Sequence, residues 1–134
     1  MNKEQIKYLI EQAFSAKKRA YAPYSGFCVG AALQAESGKL YLGCNIENAG
    51  SSPTCCAERV AIFKAVYEGE RGFKAIAIVS DSKRPTAPCG VCRQVLAEFC
   101  SPDMTIICAD REGNYIVKTL NELMPMAFSG DDMK

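Results

Sequence analysis

One aliphatic segment, Ala75–Val79, constrains the fold of this chain more than any other feature. All five of its residues are Ala, Ile or Val, and polar residues bound the segment on both sides. An unbroken aliphatic run of this length is typical of a strand covered on both faces, whereas a strand with one face in water alternates apolar and polar residues. The segment therefore predicts a strand at Lys74–Ser80 that is buried on both faces.

Helix and strand patterns alternate along the rest of the chain. Apolar residues at helical spacing or in helix-forming runs predict helices over residues 3–19, 56–68, 90–99 and 120–123. Strands are predicted over residues 27–34, 40–43, 74–80, 104–109 and 115–119, and a turn at Glu36–Lys39 joins the first two as a hairpin. The prediction is an α/β fold in which residues 1–134 form a single layered domain with a mixed sheet.

The composition excludes several classes of function. The 134 residues carry 16 basic and 15 acidic side chains, without a basic run, which argues against a nucleic-acid or membrane partner. The first residues lack the apolar core of a secretion signal, so the eight cysteines suggest a reducing cytoplasm, with metal binding or buried thiols rather than disulfides. Histidine is absent, which excludes a Ser-His-Asp or Cys-His nucleophile and any histidine metal ligand.

Three cysteines and a glutamate form the pattern that carries chemistry. Cys56-Ala57-Glu58 is followed downstream by Cys89-Gly90-Val91-Cys92, and each motif lies at the start of a predicted helix. Structural zinc sites use four protein ligands, whereas catalytic ones use three and leave a position for water. Helix N-termini favour the thiolate form that a metal requires. The pattern predicts a catalytic zinc site in which Glu58 stays free to move protons.

The charge of such a site needs an offset, because zinc with three thiolates carries a net charge of −1. The two helix N-termini supply part of it. Arg59 and Arg93, which directly follow Glu58 and Cys92, are candidates to supply the rest through hydrogen bonds to sulfur.

Three other interpretations remain open from the residues alone. The thiols could be buried core residues, since cysteine is among the most buried residue types. The CxxC pair could be a redox motif. The metal could hold a non-enzymatic zinc module together, with Cys55 or Cys44 as a fourth ligand. Five cysteines are interpreted as structural: Cys28, Cys44, Cys55, Cys100 and Cys108.

Beyond these motifs, the chain resembles the small, three-cysteine cytidine deaminases over nearly its whole length. The matching segments are residues 22–33, 43–49, 56–59, 88–94 and 123–128. The wider superfamily shares a His- or Cys-x-Glu motif followed by Pro-Cys-x-x-Cys. The resemblance implies a three-layer α/β/α domain with a mixed five-stranded sheet and a homotetramer with active sites near its interfaces.

The resemblance also implies a role for individual residues. Cys56, Cys89 and Cys92 would hold one Zn²⁺ per subunit, with Glu58 as the catalytic proton shuttle. Arg59 would hydrogen-bond the thiolates. The residues implied in substrate binding are Phe27 against the pyrimidine, Asn45 and Glu47 at the ribose 3′-hydroxyl, the Ala57 backbone at the base edge, and Phe128 reaching a neighbouring subunit.

The implied reaction is hydrolysis of cytidine and deoxycytidine to uridine and deoxyuridine plus ammonia, a step of pyrimidine salvage. Zinc-bound hydroxide would attack C4 while Glu58 delivers protons to N3 and then to the amino group. Glu47 would repel a phosphate near the ribose, which favours free nucleosides over nucleotides. The nearest rival interpretation is a deaminase for another cytosine compound, such as a blasticidin-type antibiotic.

The chain departs from the family pattern at two places. Members of the family often have a Tyr in the segment that corresponds to Gly50–Pro53, where this chain has Ser51, and a small residue where this chain has Met126.

Overall fold

A computed structural model describes residues 1–134. Its helices are α1 (Lys3–Lys17), α2 (Ala57–Tyr67), α3 (Gly90–Phe99) and α4 (Leu120–Leu123), followed by a 3-10 turn at Gly130–Met133. Its strands are β1 (Val29–Ala35), β2 (Leu40–Cys44), β3 (Phe73–Ser80), β4 (Thr105–Ala109) and β5 (Tyr115–Thr119). None of the helices has the length and apolar character needed to cross a membrane.

The five strands form one mixed sheet in the order β2-β1-β3-β4-β5. Only β3 and β4 run parallel, and the chain between them forms α3. The other pairs are antiparallel, including the predicted β1–β2 hairpin. The aliphatic strand is therefore the central one, and it is covered on both faces from Ala75 onward, with Lys74 exposed near its start.

Successive residues of β3 enter two separate cores, as a two-residue side-chain period requires. Ala75, Ala77 and Val79 pack with α1 on one face, in a cluster that includes Leu9 and Ala13. Ile76 and Ile78 pack on the other face. There the cluster includes buried residues of α2 and α3, among them Ala61, Ile62 and Leu96. The three-layer α/β/α prediction is confirmed.

Two glycines let the helices approach the sheet closely. A Cβ on Gly30 would lie 2.0 Å from the Ala13 carbonyl oxygen of α1, and one on Gly43 would lie 2.2 Å from the Ala57 carbonyl oxygen of α2. Any larger side chain at Gly43 would therefore displace the first turn of α2, which carries the residues of the Cys-x-Glu motif.

Eight predicted boundaries differ from the structure by one or two residues, including the end of α2, the ends of β1 and β2, and the starts of β3 and β4. Helix α1 ends at Lys17 rather than at residue 19. Helix α2 begins at Ala57, because Cys56 has an extended backbone and occupies the N-cap. Strand β1 begins at Val29 rather than Phe27. At Phe27 and Cys28, side chains of distant residues bind the backbone groups that a strand partner would otherwise take.

Candidate metal centre and active site

Two helix starts on one face of the sheet bring three thiols together. Cys56 is the N-cap of α2, and Cys89 is the N-cap of α3, where its sulfur accepts from the Cys92 N–H at 3.4 Å. The Cys56 and Cys89 sulfurs are 3.8 Å apart, and those of Cys89 and Cys92 are 3.4 Å apart. All three sulfurs lie within 4.8 Å of one another.

The thiol cluster fits a thiophilic metal ion. A tetrahedral zinc with Zn–S bonds of about 2.3 Å places its sulfurs about 3.8 Å apart, close to the separations in this cluster. Neither Cys44 nor Cys55 belongs to the group of thiols within 4.8 Å. The donor set is therefore three sulfurs from the chain, with no fourth cysteine beside them.

The surroundings of Cys56 favour its thiolate. The pKa of Cys56 is lowered because the Cys92 thiol donates to it, and because Arg59 and Cys89 add further hydrogen bonds. The pKa of Cys92 is raised by the same bond to Cys56 and by burial. In the metal-free cluster, this hydrogen bond favours the thiolate at Cys56 and the thiol at Cys92.

Glu58 lies in the first turn of α2, directly beside the thiols. Only 4% of its surface is exposed. Burial raises its pKa from an ordinary 4.5 to about 7, and the negative charge of Cys56 adds to the rise. A carboxyl group with a pKa near neutrality can both accept and release a proton at working pH.

Arg59 contacts the thiol cluster directly. Its Nη2 donates to the Cys56 sulfur and to the Thr54 carbonyl, both at 3.4 Å. Its Nε is buried and has no hydrogen-bond partner. Arg93 does not contact sulfur in this structure. It donates instead to the Pro88 carbonyl at 2.7 Å and to the Leu123 carbonyl at 2.8 Å, which ties the start of α3 to α4.

The segment Asn45–Glu47 is held next to the metal ligands. Ile46 and Cys55 exchange two backbone hydrogen bonds of 2.9 Å, so this segment runs beside the chain that leads into Cys56. Tyr21 bonds the same segment on its other side. The structure thereby brings Asn45 and Glu47 near the start of α2, although the sequence separates them by a polar loop.

Asn45 and Glu47 both bind the backbone of residues 24–29. The buried Asn45 amide donates to the Phe27 carbonyl at 2.8 Å and accepts from the Val29 N–H at 2.9 Å. The Glu47 carboxylate accepts from the N–H groups of Tyr24 and Ser25 and from the Ser25 hydroxyl, and these bonds lower its pKa, the hydroxyl bond most of all.

The remaining candidate residues differ in exposure. Ala57 is fully buried at the first position of α2, whereas 42% of Phe27 and 58% of Phe128 are exposed. A cavity of about 460 Å³ adjoins Phe27 and extends to Thr86 and Ile116. Phe128 is tied to α3 through its carbonyl, which accepts from Gln94 Nε2 at 2.9 Å.

Sequence reasoning missed the residues that hold the Phe27 segment. The Ser25 hydroxyl accepts from the Phe27 N–H at 3.0 Å, and Asp81 binds the Cys28 N–H at 2.8 Å. The one available signal was weak: Ser25 lies in a Pro-Tyr-Ser-Gly turn, where serine commonly bonds nearby backbone. Asp81 is distant in sequence from Phe27, and no sequence pattern indicated its contact with this segment.

The fold and the cluster thus define an α/β protein with three thiols placed to hold a metal ion. A sequence model for the "cytidine and deoxycytidylate deaminase zinc-binding region" matches residues 3–108. A cytidine deaminase of Sporosarcina psychrophila is 50% identical over 128 residues, covering 96% of this chain and 94% of the relative. A second, from Halalkalibacterium halodurans, is 50% identical over 125 residues, covering 93% and 95%.

Solved structures of cytidine deaminases also match this chain. The crystal structure of cytidine deaminase from Burkholderia pseudomallei matches with a TM-score of 0.89 and 44% identity, covering 96% of this chain and 100% of that one. That of cytidine deaminase from Mycobacterium tuberculosis matches with a TM-score of 0.79 and 35% identity, covering 90% and 94%. This chain belongs to the cytidine and deoxycytidylate deaminase family.

Proposed function

We propose that this protein hydrolyses the amino group of cytidine and deoxycytidine, giving uridine or deoxyuridine and ammonia. The observation that carries the proposal is the buried Glu58, with its pKa raised to about 7, beside a cluster of three thiols. A purely structural site has no use for a protonatable carboxyl group in that position. Membership in the deaminase family supports the same conclusion.

The proposed mechanism assigns the metal to Cys56, Cys89 and Cys92. When bound, zinc supplies a Lewis acid that makes water nucleophilic near neutral pH. Glu58 accepts a proton from the attacking water and delivers it to N3 of the pyrimidine. It then carries a second proton, from the new hydroxyl on C4, to the departing amino group, which leaves as ammonia as the C4 carbonyl forms. Arg59 stabilises the negative charge at Cys56, which it already contacts through Nη2.

The proposed nucleoside site is the segment that Asn45 and Glu47 organise. Asn45 Nδ2 gives one hydrogen to Phe27, so its second hydrogen is free to bind a sugar hydroxyl. Glu47 Oε2 accepts only from Ser25, so it can accept from a hydroxyl as well. Phe27 offers an exposed ring for the base, and the Ala57 backbone lies beside the catalytic Glu58. A carboxylate at the sugar favours free nucleosides over nucleotides.

We propose a homotetramer as the active form. Phe128, which follows α4 and is 58% exposed, would then reach a neighbouring subunit's site. Light scattering on the zinc-loaded protein measures the subunit number, and a monomer with full activity would contradict this part of the proposal.

All eight cysteines are free thiols, which suits a reducing compartment such as the cytoplasm.

The central test is a substrate panel followed by ammonia release. Cytidine and deoxycytidine are compared with cytidine monophosphate, free cytosine and a blasticidin-type antibiotic. We expect turnover of the two nucleosides and little of the others. Preference for the antibiotic would make the protein a deaminase for another cytosine compound, and equal rates on the monophosphate would overturn the expected preference for free nucleosides.

Metal analysis with X-ray absorption separates an enzyme from a structural zinc module. Three sulfurs and one light atom around one zinc per chain support the catalytic assignment. Four sulfurs around the zinc would support the module and would bring Cys44 or Cys55 back as a ligand.

A further inference from the structure

The backbone around Phe27 is held by an ion pair that no proposed chemical step uses. Lys17, the last residue of α1, places its Nζ 2.6 Å from Asp81 Oδ1. The other oxygen, Asp81 Oδ2, accepts from the Cys28 N–H at 2.8 Å. The Asp81 N–H in turn donates to the Cys28 carbonyl at 3.2 Å. The residue after Phe27 is therefore bound on both its N–H and its carbonyl by one aspartate.

The position of this aspartate is itself fixed from both sides. Asp81 directly follows β3, the central strand. The Lys17 side chain is only 20% exposed, and its backbone lies against β1, where a Cβ on Gly30 would be 2.6 Å from the Lys17 nitrogen. The lysine thus reaches Asp81 from a helix end, and its hydrogen bond, together with that of the Cys28 N–H, lowers the pKa of Asp81.

The pair completes a set of contacts on one short segment. The Phe27 N–H and carbonyl are bound by Ser25 and Asn45, and Asp81 binds the residue that follows. Phe27 itself keeps an exposed ring, because the contacts hold its backbone and leave its side chain free. Three side-chain contacts on consecutive backbone groups therefore hold the backbone from which the Phe27 ring extends.

We propose that Lys17 and Asp81 are positioning residues for nucleoside binding, which act by holding the backbone of residues 27–28 so that the Phe27 ring faces the base. The inference rests on the proposed function, because the role of Phe27 does. A segment that is ordered only part of the time lowers apparent affinity in proportion to the competent fraction. Loss of the pair therefore raises KM and leaves kcat, which Glu58 and the metal determine, almost unchanged.

The kinetic test uses zinc-loaded variants with cytidine as substrate. Asp81→Ala is expected to raise KM about ten- to a hundredfold, the range that loss of a hydrogen bond to a charged group implies, with kcat within about twofold. Lys17→Met is expected to raise KM less, and to add nothing in the Asp81→Ala background. Lys17→Arg keeps the ion pair and should rescue KM. Lys18→Met removes the neighbouring exposed charge, which has no partner, and serves as the matched control.

A second measurement is independent of activity. Hydrogen–deuterium exchange in the zinc-loaded protein should accelerate in a peptide covering residues 21–28 in Asp81→Ala and Lys17→Met, but not in a peptide from β3 or in Lys18→Met. If wild type fails to deaminate cytidine, the proposed function is wrong, while the exchange result still decides whether the pair orders the segment. An unchanged KM, a fall in kcat alone, a loss of zinc, or unchanged exchange at residues 21–28 would each overturn the inference.

Discussion

Replacing Glu58 with glutamine removes a proton carrier without changing the size of the side chain. Glutamine keeps an oxygen acceptor in the same place but cannot take a proton from water. In the zinc-loaded protein, we expect turnover to fall by about 10²–10⁴-fold, the contribution typical of a general acid–base group. Zinc content should stay at one per chain, because the three thiols are untouched.

The same substitution should stabilise the metal-free protein at alkaline pH. The folded-state pKa of Glu58, about 7, lies above its ordinary 4.5, so the folded state binds more protons than the unfolded state between these values. The free energy of unfolding therefore falls as pH rises through this window. At about 1.4 kcal/mol per pKa unit, the ionised carboxylate costs about 3 kcal/mol above the window. Glutamine stays neutral and avoids that loss.

Urea denaturation of metal-free wild type and Glu58→Gln measures this difference. The variant should be more stable by up to about 3 kcal/mol at about pH 8, and the advantage should disappear below about pH 5. Glu98→Gln, at an exposed position late in α3, is the matched control and should change neither turnover nor this pH dependence. Near-normal turnover of Glu58→Gln with full zinc, or a stability difference that does not vary with pH, would refute the reasoning.

Two further perturbations test how the centre is built. Cys89→Ser should abolish zinc binding and activity, whereas Cys55→Ser should keep one zinc per chain, as measured by elemental analysis; loss of zinc from the Cys55 variant would point to a fourth sulfur ligand. Gly43→Ala should destabilise the protein by about 1–3 kcal/mol, because the new methyl group would overlap the Ala57 carbonyl, and should also weaken zinc binding, since α2 must shift. Thermal melts and zinc titration check both effects, and normal values for both would show that α2 does not rest on Gly43.

The parts of the fold that the sequence predicted are those decided by local pattern. Helix α3 has the predicted bounds because its apolar spacing, the preceding Pro-Cys and the following Ser-Pro agree. The central strand followed from its aliphatic run alone. The start of β1 could not be predicted, because the backbone of Phe27 and Cys28 is taken by Asn45 and Asp81, which lie 18 and 53 residues away.

The candidate site also contains features that the sequence predicted and features that it did not. The Cys-x-Glu and CxxC motifs were visible because each occupies a single helix start. The contact between Glu47 and Ser25, 22 residues apart, lies next to the bridge between Tyr21 and Ile46, which exists only in the folded chain. The destination of the Arg93 side chain was likewise unpredictable, because its acceptor on Leu123 is 30 residues away. The chemical groups of the centre were therefore predictable, whereas the contacts that orient them were not.

The helices that carry the proposed metal ligands have weaker N-caps than the helices that carry none. Helices α1 and α4, which supply none of the proposed metal ligands, begin with full capping boxes at Asn2 and Thr119. The two helices that supply the ligands have cysteine at the N-cap, and the Cys56 side chain makes no capping hydrogen bond. A good N-cap adds about 1 kcal/mol to the free energy of unfolding, and α2 lacks this contribution. Metal binding to the same thiols is coupled to folding and would offset this deficit, because the ion fixes both helix starts together. Removing zinc with a chelator should therefore lower the melting temperature, and it should expose the start of α2 to amide exchange before it exposes α1.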